Sequence, residues 1–280
     1  MIDARQRGAA RDRRRDAIQA HARRWRGAWP PAPFPYTADE HALWRAVLTA
    51  LAPAHERAAS RRYAAALRRF DLSVERLPQL AAVNHTLARR SGFRLAPAAG
   101  YVEPPRFFAE LSRGVFLATL YLRDPATPLF TPEPDYIHEL MGHGIMLADR
   151  TYAAISQTLA IAAVALRRMG AAPERLARIE RVYWYTMETG LVREDRELRA
   201  YGAAVLSSVR ELDALRDRDP RPLVLDEVAE RPYAYTALQT DYFYCDDLDR
   251  LHDEITAWAS RELLDARVAG GRRRAAEDDR

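Results

Sequence analysis

Apolar residues recur every three or four positions along most of the chain, the period of a helix with one buried face. Ile18, Ala22 and Trp25 mark such a stripe in an arginine-rich arm over residues 1–28, so the arm is expected to dock as an amphipathic helix. Trp29-Pro30-Pro31-Ala32-Pro33-Phe34-Pro35 is too rich in proline for regular structure and reads as a connector, and Thr37 with Glu40 is a helix-start signal. Helices are predicted over residues 38–51, closed by Pro53, then over 54–70, briefly near 74–77, and over 79–90. From Phe93 to Val102 the apolar runs shorten and are broken by Pro97 and Gly100, which suits small β elements. Helical spacing returns over 107–114, and 115–122 is β-branched and aromatic enough for a short strand or a helix end. Residues 151–169 are almost continuously apolar and should form a central helix; further helices are expected over 175–190 and 209–215, with short strands near 220–225 and 242–244. Leu251, Ile255, Trp258 and Leu263 share one face of a last helix over 248–268, ended by Gly270-Gly271, and residues 269–280 have nothing to bury and are expected to be disordered. No repeat or linker divides the chain, so the fold class is mainly α: one helical domain over 29–268 with a few short β-strands.

Composition narrows the chemistry. No apolar run approaches the ~20 residues of a membrane span, and the N-terminus has no apolar secretory block, so a cytoplasmic protein is expected. Cys245 is the single cysteine, which excludes an internal disulfide and any cysteine cluster, so a bound metal would need nitrogen and oxygen ligands. The net charge is +4 and all 43 basic residues are arginine. Clusters at Arg13 to Arg15 and Arg272 to Arg274 could meet phosphates, but no helix-turn-helix or zinc-finger pattern accompanies them, and no nucleic-acid partner is expected.

The candidate chemistry lies in His138-Glu139-Leu140-Met141-Gly142-His143. Two histidines five apart would diverge by about 140° on a straight α-helix. Gly142 could let the backbone leave helical geometry at a helix end and swing the second ring back. The spacing is not that of a zincin, which needs histidines four apart. Glu188, in Tyr183-Trp184-Tyr185-Thr186-Met187-Glu188, is a carboxylate among aromatic and apolar neighbours, where it would be costly unless paired or metal-bound. Two imidazoles and one carboxylate form the facial set used by non-haem iron(II) oxygenases.

Thr131-Pro132-Glu133-Pro134-Asp135, His138-Glu139-Leu140, Gly142-His143, Tyr183-Trp184, Glu188 with Gly190-Leu191, Tyr201-Gly202-Ala203 and Ser207-Ser208 follow in an order and spacing that resembles the catalytic domain of the pterin-dependent aromatic amino acid hydroxylases. Ser91-Gly92-Phe93-Arg94-Leu95 and Pro97-Ala98-Ala99-Gly100 extend the resemblance upstream, to roughly residues 13–258 in all. It implies iron(II) held by His138, His143 and Glu188, a tetrahydropterin such as tetrahydrobiopterin as electron donor, and dioxygen as co-substrate. The substrate implied is a free aromatic amino acid: phenylalanine first, giving tyrosine or meta-tyrosine, with tryptophan or tyrosine as alternatives. By motif, Arg123 would grip the amino acid carboxylate; Thr131, Asp135 and Ser207 would surround the substrate and orient ligands; and Trp184 would wall the ring pocket and favour phenylalanine. Phe107 would stack on the pterin beside the backbone of Gly100 and Val102, and Glu139 would meet the pterin through water.

The chain departs from the animal enzymes at Thr189 for phenylalanine, Ala204 for glycine, Leu117 for histidine and Pro104 for serine, and Tyr235 falls at a position that helps separate phenylalanine from tyrosine. No regulatory domain or heptad tail is visible, so a monomer or dimer without a coiled-coil tetramer or regulatory-domain switching is expected. Two other readings stay open: a zinc hydrolase on the same ligands with Glu139 as general base, and an arginine-rich binding module.

Overall fold

In the computed structural model, residues 4–129, 131, 133–234 and 239–278 are described, so Tyr235 lies outside the described residues. The arm forms helix α1 (Ala4–Arg24), and Ile18 and Ala22 are buried as the stripe predicts. Trp25 packs edge-on against Trp29 in a small satellite cluster around Ala96, Ala98 and Leu117. The arginines of the arm are largely committed within the chain: Arg14 pairs with Glu40, and Arg15 holds both oxygens of Glu133 at 2.6 and 2.7 Å while lying 4.2 Å from the centre of the Tyr121 ring.

Helix α2 (Ala38–Ala58) starts at the Thr37–Glu40 capping box, as expected, but Pro53 does not close it. Proline removes one helical hydrogen bond. The apolar face of Leu43, Trp44, Val47, Leu51 and Ala54 is buried on both sides of it and carries the helix through. The break comes instead at Ala59, whose extended backbone lets the Ser60 N–H reach the carbonyl of Ala200, and Ser60 then caps α3 (Arg61–Leu67). Residues 74–77 are not helical. There the Ser73 carbonyl accepts from the Trp44 indole and the Leu77 N–H donates to His41 Nδ1, so side chains of α2 take the polar backbone that a helical turn would have used.

Helix α4 (Leu80–Arg90) precedes a parallel pair, β1 (Arg94–Ala98) and β2 (Val115–Thr119), joined through α5 (Pro104–Leu111). Pro104 and Pro105 occupy the first turn of α5, so it starts earlier than the apolar spacing suggests. After α6 (Tyr136–His138) come the central helix α7 (Arg150–Arg168) and α8 (Pro173–Tyr183). A hairpin of β3 (Leu191–Glu194) and β4 (Glu197–Ala200) turns through Asp195 and Arg196, both at positive φ. Then follow α9 (Ala203–Leu206), α10 (Val209–Ala214), β5 (Arg221–Pro222), α11 (Leu225–Glu230), β6 (Phe243–Cys245) and α12 (Leu248–Asp278). The second sheet has the order β4-β3-β6-β5. Helix α12 packs along α7 and runs on through Gly270 and Gly271, where the sequence reading ended it and began a disordered tail. Each glycine costs a helix about 1 kcal/mol relative to alanine, but elongation adds a hydrogen bond per residue and the arginines and alanines beyond are good helix formers. One apolar core extends from Ile18 to Ala266. Among the described residues no helix is long and apolar enough to cross a membrane.

Candidate metal centre

Asp135 caps α6, its Oδ1 accepting the backbone N–H of His138 at 3.0 Å. Beyond His138 the helix does not end; it widens into a π-helical turn over Glu139–Gly144. A turn closed by i→i+5 bonds brings residues five apart toward one face, which resolves the awkward spacing. The two rings stand 5.0 Å apart and nearly perpendicular. Gly142 therefore does another task than the one expected of it. A Cβ there would lie 2.6 Å from the carbonyl oxygen of Ala203, so glycine is needed for α9 to pack against this turn.

The carboxylate arrives by the same device. The helix predicted over 175–190 is α-helical only to Tyr183 and continues as a second π-helical turn, Trp184–Glu188. Gly202 crosses behind it so closely that a Cβ would meet the Glu188 carbonyl oxygen at 2.5 Å. One ligand atom from each of His138, His143 and Glu188 lies within 4.8 Å of the other two. His143 Nε2 is 3.0 Å from Glu188 Oε1, His138 Nε2 is 3.8 Å from Oε2, and Oε2 finds no hydrogen-bond partner among the described residues. A buried oxygen without a partner among the described residues, beside two inward imidazole nitrogens, is a donor set fit to hold a cation, and its nitrogen-and-oxygen chemistry suits iron(II).

Charge follows from burial. Burial pushes His138 down to about 4. His143 is also disfavoured as a cation by burial, but Glu188 outweighs this and raises it; reciprocally, Glu188 is lifted by burial and brought below its ordinary range by His143. Each of the two thus favours the charged form of the other. Glu139 is driven by burial up to about 7, moderated by His143 and by Thr119, whose N–H and hydroxyl meet Oε1 at 3.1 and 3.2 Å.

The other expected residues divide. Ser207 Oγ is 2.9 Å from His138 Nδ1. Arg123 and Asp135 are fully buried and joined by two guanidinium bonds and one backbone bond, leaving Nη1 with only long contacts to the carbonyls of Pro128 and Ser207. Thr131 turns its hydroxyl to the carbonyl of Glu133. The Trp184 ring stacks 4.6 Å from Tyr233 and donates to Gln239. Phe107 meets Phe116 and Tyr183 edge-on at 5.5 and 5.6 Å, and those two rings flank His143. Gly100, at φ +128°, and Val102 sit on the α1 side, Gly100 against Gln19 and Val102 in the satellite cluster. Thr189 gives its hydroxyl to the Trp184 carbonyl, and Leu117 belongs to the satellite cluster. Sequence reasoning missed Phe116 and Tyr152 beside His143, because an aromatic in an apolar stripe reads as core until the fold shows what it faces.

The family model described as biopterin-dependent aromatic amino acid hydroxylase matches residues 6–267. The chain belongs to that family. It is 36% identical over 254 residues to tyrosine 3-monooxygenase of Canis lupus familiaris, covering 89% of this chain but 50% of the relative, so it spans about half the length of that enzyme. It is 35% identical over 229 residues to phenylalanine 3-hydroxylase of Streptomyces coeruleorubidus, covering 81% of each. The crystal structure of Chromobacterium violaceum phenylalanine hydroxylase with bound iron(III) and oxidized cofactor 7,8-dihydrobiopterin superposes with a TM-score of 0.76 at 25% identity, over 90% of this chain and 93% of that one.

Proposed function

We propose that the chain is an iron(II)- and tetrahydropterin-dependent monooxygenase that hydroxylates the ring of a free aromatic amino acid, with phenylalanine the preferred substrate. The carrying observation is the convergence of His138, His143 and Glu188, with Glu188 Oε2 buried and unpartnered among the described residues, in a member of the hydroxylase family. Membership favours this reading over a zinc hydrolase or an arginine-rich binding module.

His138 Nε2, His143 Nε2 and Glu188 would hold the metal on one face, leaving the other for co-substrate. Iron and tetrahydropterin together supply the reductive activation of dioxygen that puts one oxygen atom on the ring. Arg123, braced by Asp135, would offer the Nη1 edge of its guanidinium to the substrate carboxylate. Trp184, stacked on Tyr233, offers a flat wall for an aromatic ring. Phe107 would lie against the pterin, with Gly100 and Val102 near its edge, and Glu139, held by Thr119, would meet the pterin through water. Ring position is open between para and meta; the likeness to a phenylalanine 3-hydroxylase supports the meta product, meta-tyrosine.

The test is to load the protein anaerobically with iron(II), add tetrahydrobiopterin, oxygen and phenylalanine, tyrosine or tryptophan in turn, and identify products by mass and ring position. Hydroxyphenylalanine as main product is expected. No hydroxylated product from any of the three refutes the proposal.

A further inference from the structure

Tyr152, in the first turn of α7, is completely buried, with its hydroxyl 3.3 Å from His143 Nδ1 and 2.9 Å from the carbonyl oxygen of Met187. A phenol has one hydrogen to give and a carbonyl can only accept, so the hydroxyl donates to Met187 and its lone pair receives the His143 Nδ1–H. That leaves Nε2 as the bare nitrogen facing Glu188. His138 has the same arrangement with a different residue: its Nδ1 lies 2.9 Å from Ser207 Oγ, which donates to the Ala204 carbonyl at 3.3 Å. Both imidazoles therefore meet hydroxyls that hand their own hydrogen to backbone. Tyr152 differs in what its carbonyl belongs to. Met187 immediately precedes Glu188, so one phenol touches both the second imidazole and the peptide that carries the carboxylate.

We propose that Tyr152 is a positioning residue for the metal centre: it locks the Nδ1–H tautomer of His143 and ties that ring to the Glu188 segment, so that two of the three ligands are set by one hydroxyl. This rests on reading His138, His143 and Glu188 as metal ligands. Phenylalanine at 152 would fill the same space but leave the His143 N–H and the Met187 carbonyl without a partner. The imidazole could then take the other tautomer, whose Nε2 carries hydrogen and cannot bind a metal. Hydrogen bonds behind metal-bound histidines commonly contribute about 10–100-fold in affinity, and a loss in that range is expected.

Wild type and Tyr152→Phe are titrated anaerobically with cobalt(II) alone, and the histidine Nδ1–H resonances of the zinc(II)-loaded, ¹⁵N-histidine-labelled proteins are recorded. In the variant, affinity falls in that range and the His143 Nδ1–H resonance moves or vanishes while that of His138 stays. Unchanged affinity with both resonances in place overturns the proposal. Wild type labelled with 3-fluorotyrosine avoids any folding defect of the variant: the more acidic phenol shifts the His143 resonance and spares that of His138, and no shift at His143 is equally fatal. Failure of wild type itself to bind cobalt(II) and zinc(II) overturns the metal-centre reading, and is distinguishable from failure of the Tyr152 proposal alone.

Discussion

Arg123 meets Asp135 through Nε, Nη2 and its own backbone N–H at 2.8 to 2.9 Å, and the Oδ1 that accepts from Nη2 also caps the turn that bears His138. The pair thus links the expected carboxylate-gripping residue to the first imidazole. Breaking a buried pair on one side strands the other charge, at a cost of about 3–5 kcal/mol. Arg123→Met is expected to lower unfolding free energy by that amount in urea, with part of it recovered in the Arg123→Met/Asp135→Asn double variant. A single variant as stable as wild type would show that the pair does not hold the turn.

Glu188→Gln keeps the shape of the side chain but removes its charge. Metal content after iron(II) loading and desalting should drop to near zero, turnover should be lost, and the far-ultraviolet circular dichroism should stay as in wild type. Retention of stoichiometric iron would remove Glu188 from the proposed ligand set.

Arg15 reaches from α1 to Glu133, in the loop between Thr131 and Asp135, and Tyr121 donates to the same carboxylate. As a half-exposed pair it should contribute no more than about 1 kcal/mol to stability. Its expected effect is on substrate: Arg15→Ala should raise KM for the amino acid several-fold with kcat nearly kept. A KM within error of wild type would mean that the arm does not order this loop.

His55 donates from Nε2 to the Leu206 carbonyl at 2.6 Å, and burial lowers its pKa against the opposing pull of that carbonyl. Above its ordinary value of about 6.5 the residue is neutral folded or unfolded. As pH falls below that, the unfolded chain takes up a proton that the folded chain refuses, so stability declines until the lowered folded value is passed. His138, at about 4, adds to this slope in the metal-free protein. His55→Gln should flatten the fall in stability as pH drops below about 6.5 without abolishing it, and an unchanged slope in urea melts would contradict the assignment.

What could be read from the chain depended on range. The docked stripe of Ile18 and Ala22, the Thr37–Glu40 box and the long apolar run of α7 are local or periodic, and these were legible. The inventory of His138, His143 and Glu188 could be read from motif, while the two π-helical turns that make it converge could not, because single-turn widening leaves no period in the sequence. Pro53 misled for a related reason: its local preference was overridden by burial on both sides of it. Tyr152 and Phe116 carried no signal of their own, since their role lies in what faces them.

Residues 202–203 have a mechanical consequence. Ala203 fills the space that a side chain at Gly142 would need, and Gly202 lies against Glu188 and Gly190, so this one short peptide is the shim between the histidine turn and the carboxylate turn. Hydrogen bonds stretch by tenths of an ångström at little cost, whereas atoms already in contact resist compression steeply. The spacing between the turn that bears His143 and the turn that bears Glu188 is therefore set by the thickness of one peptide rather than by any side chain.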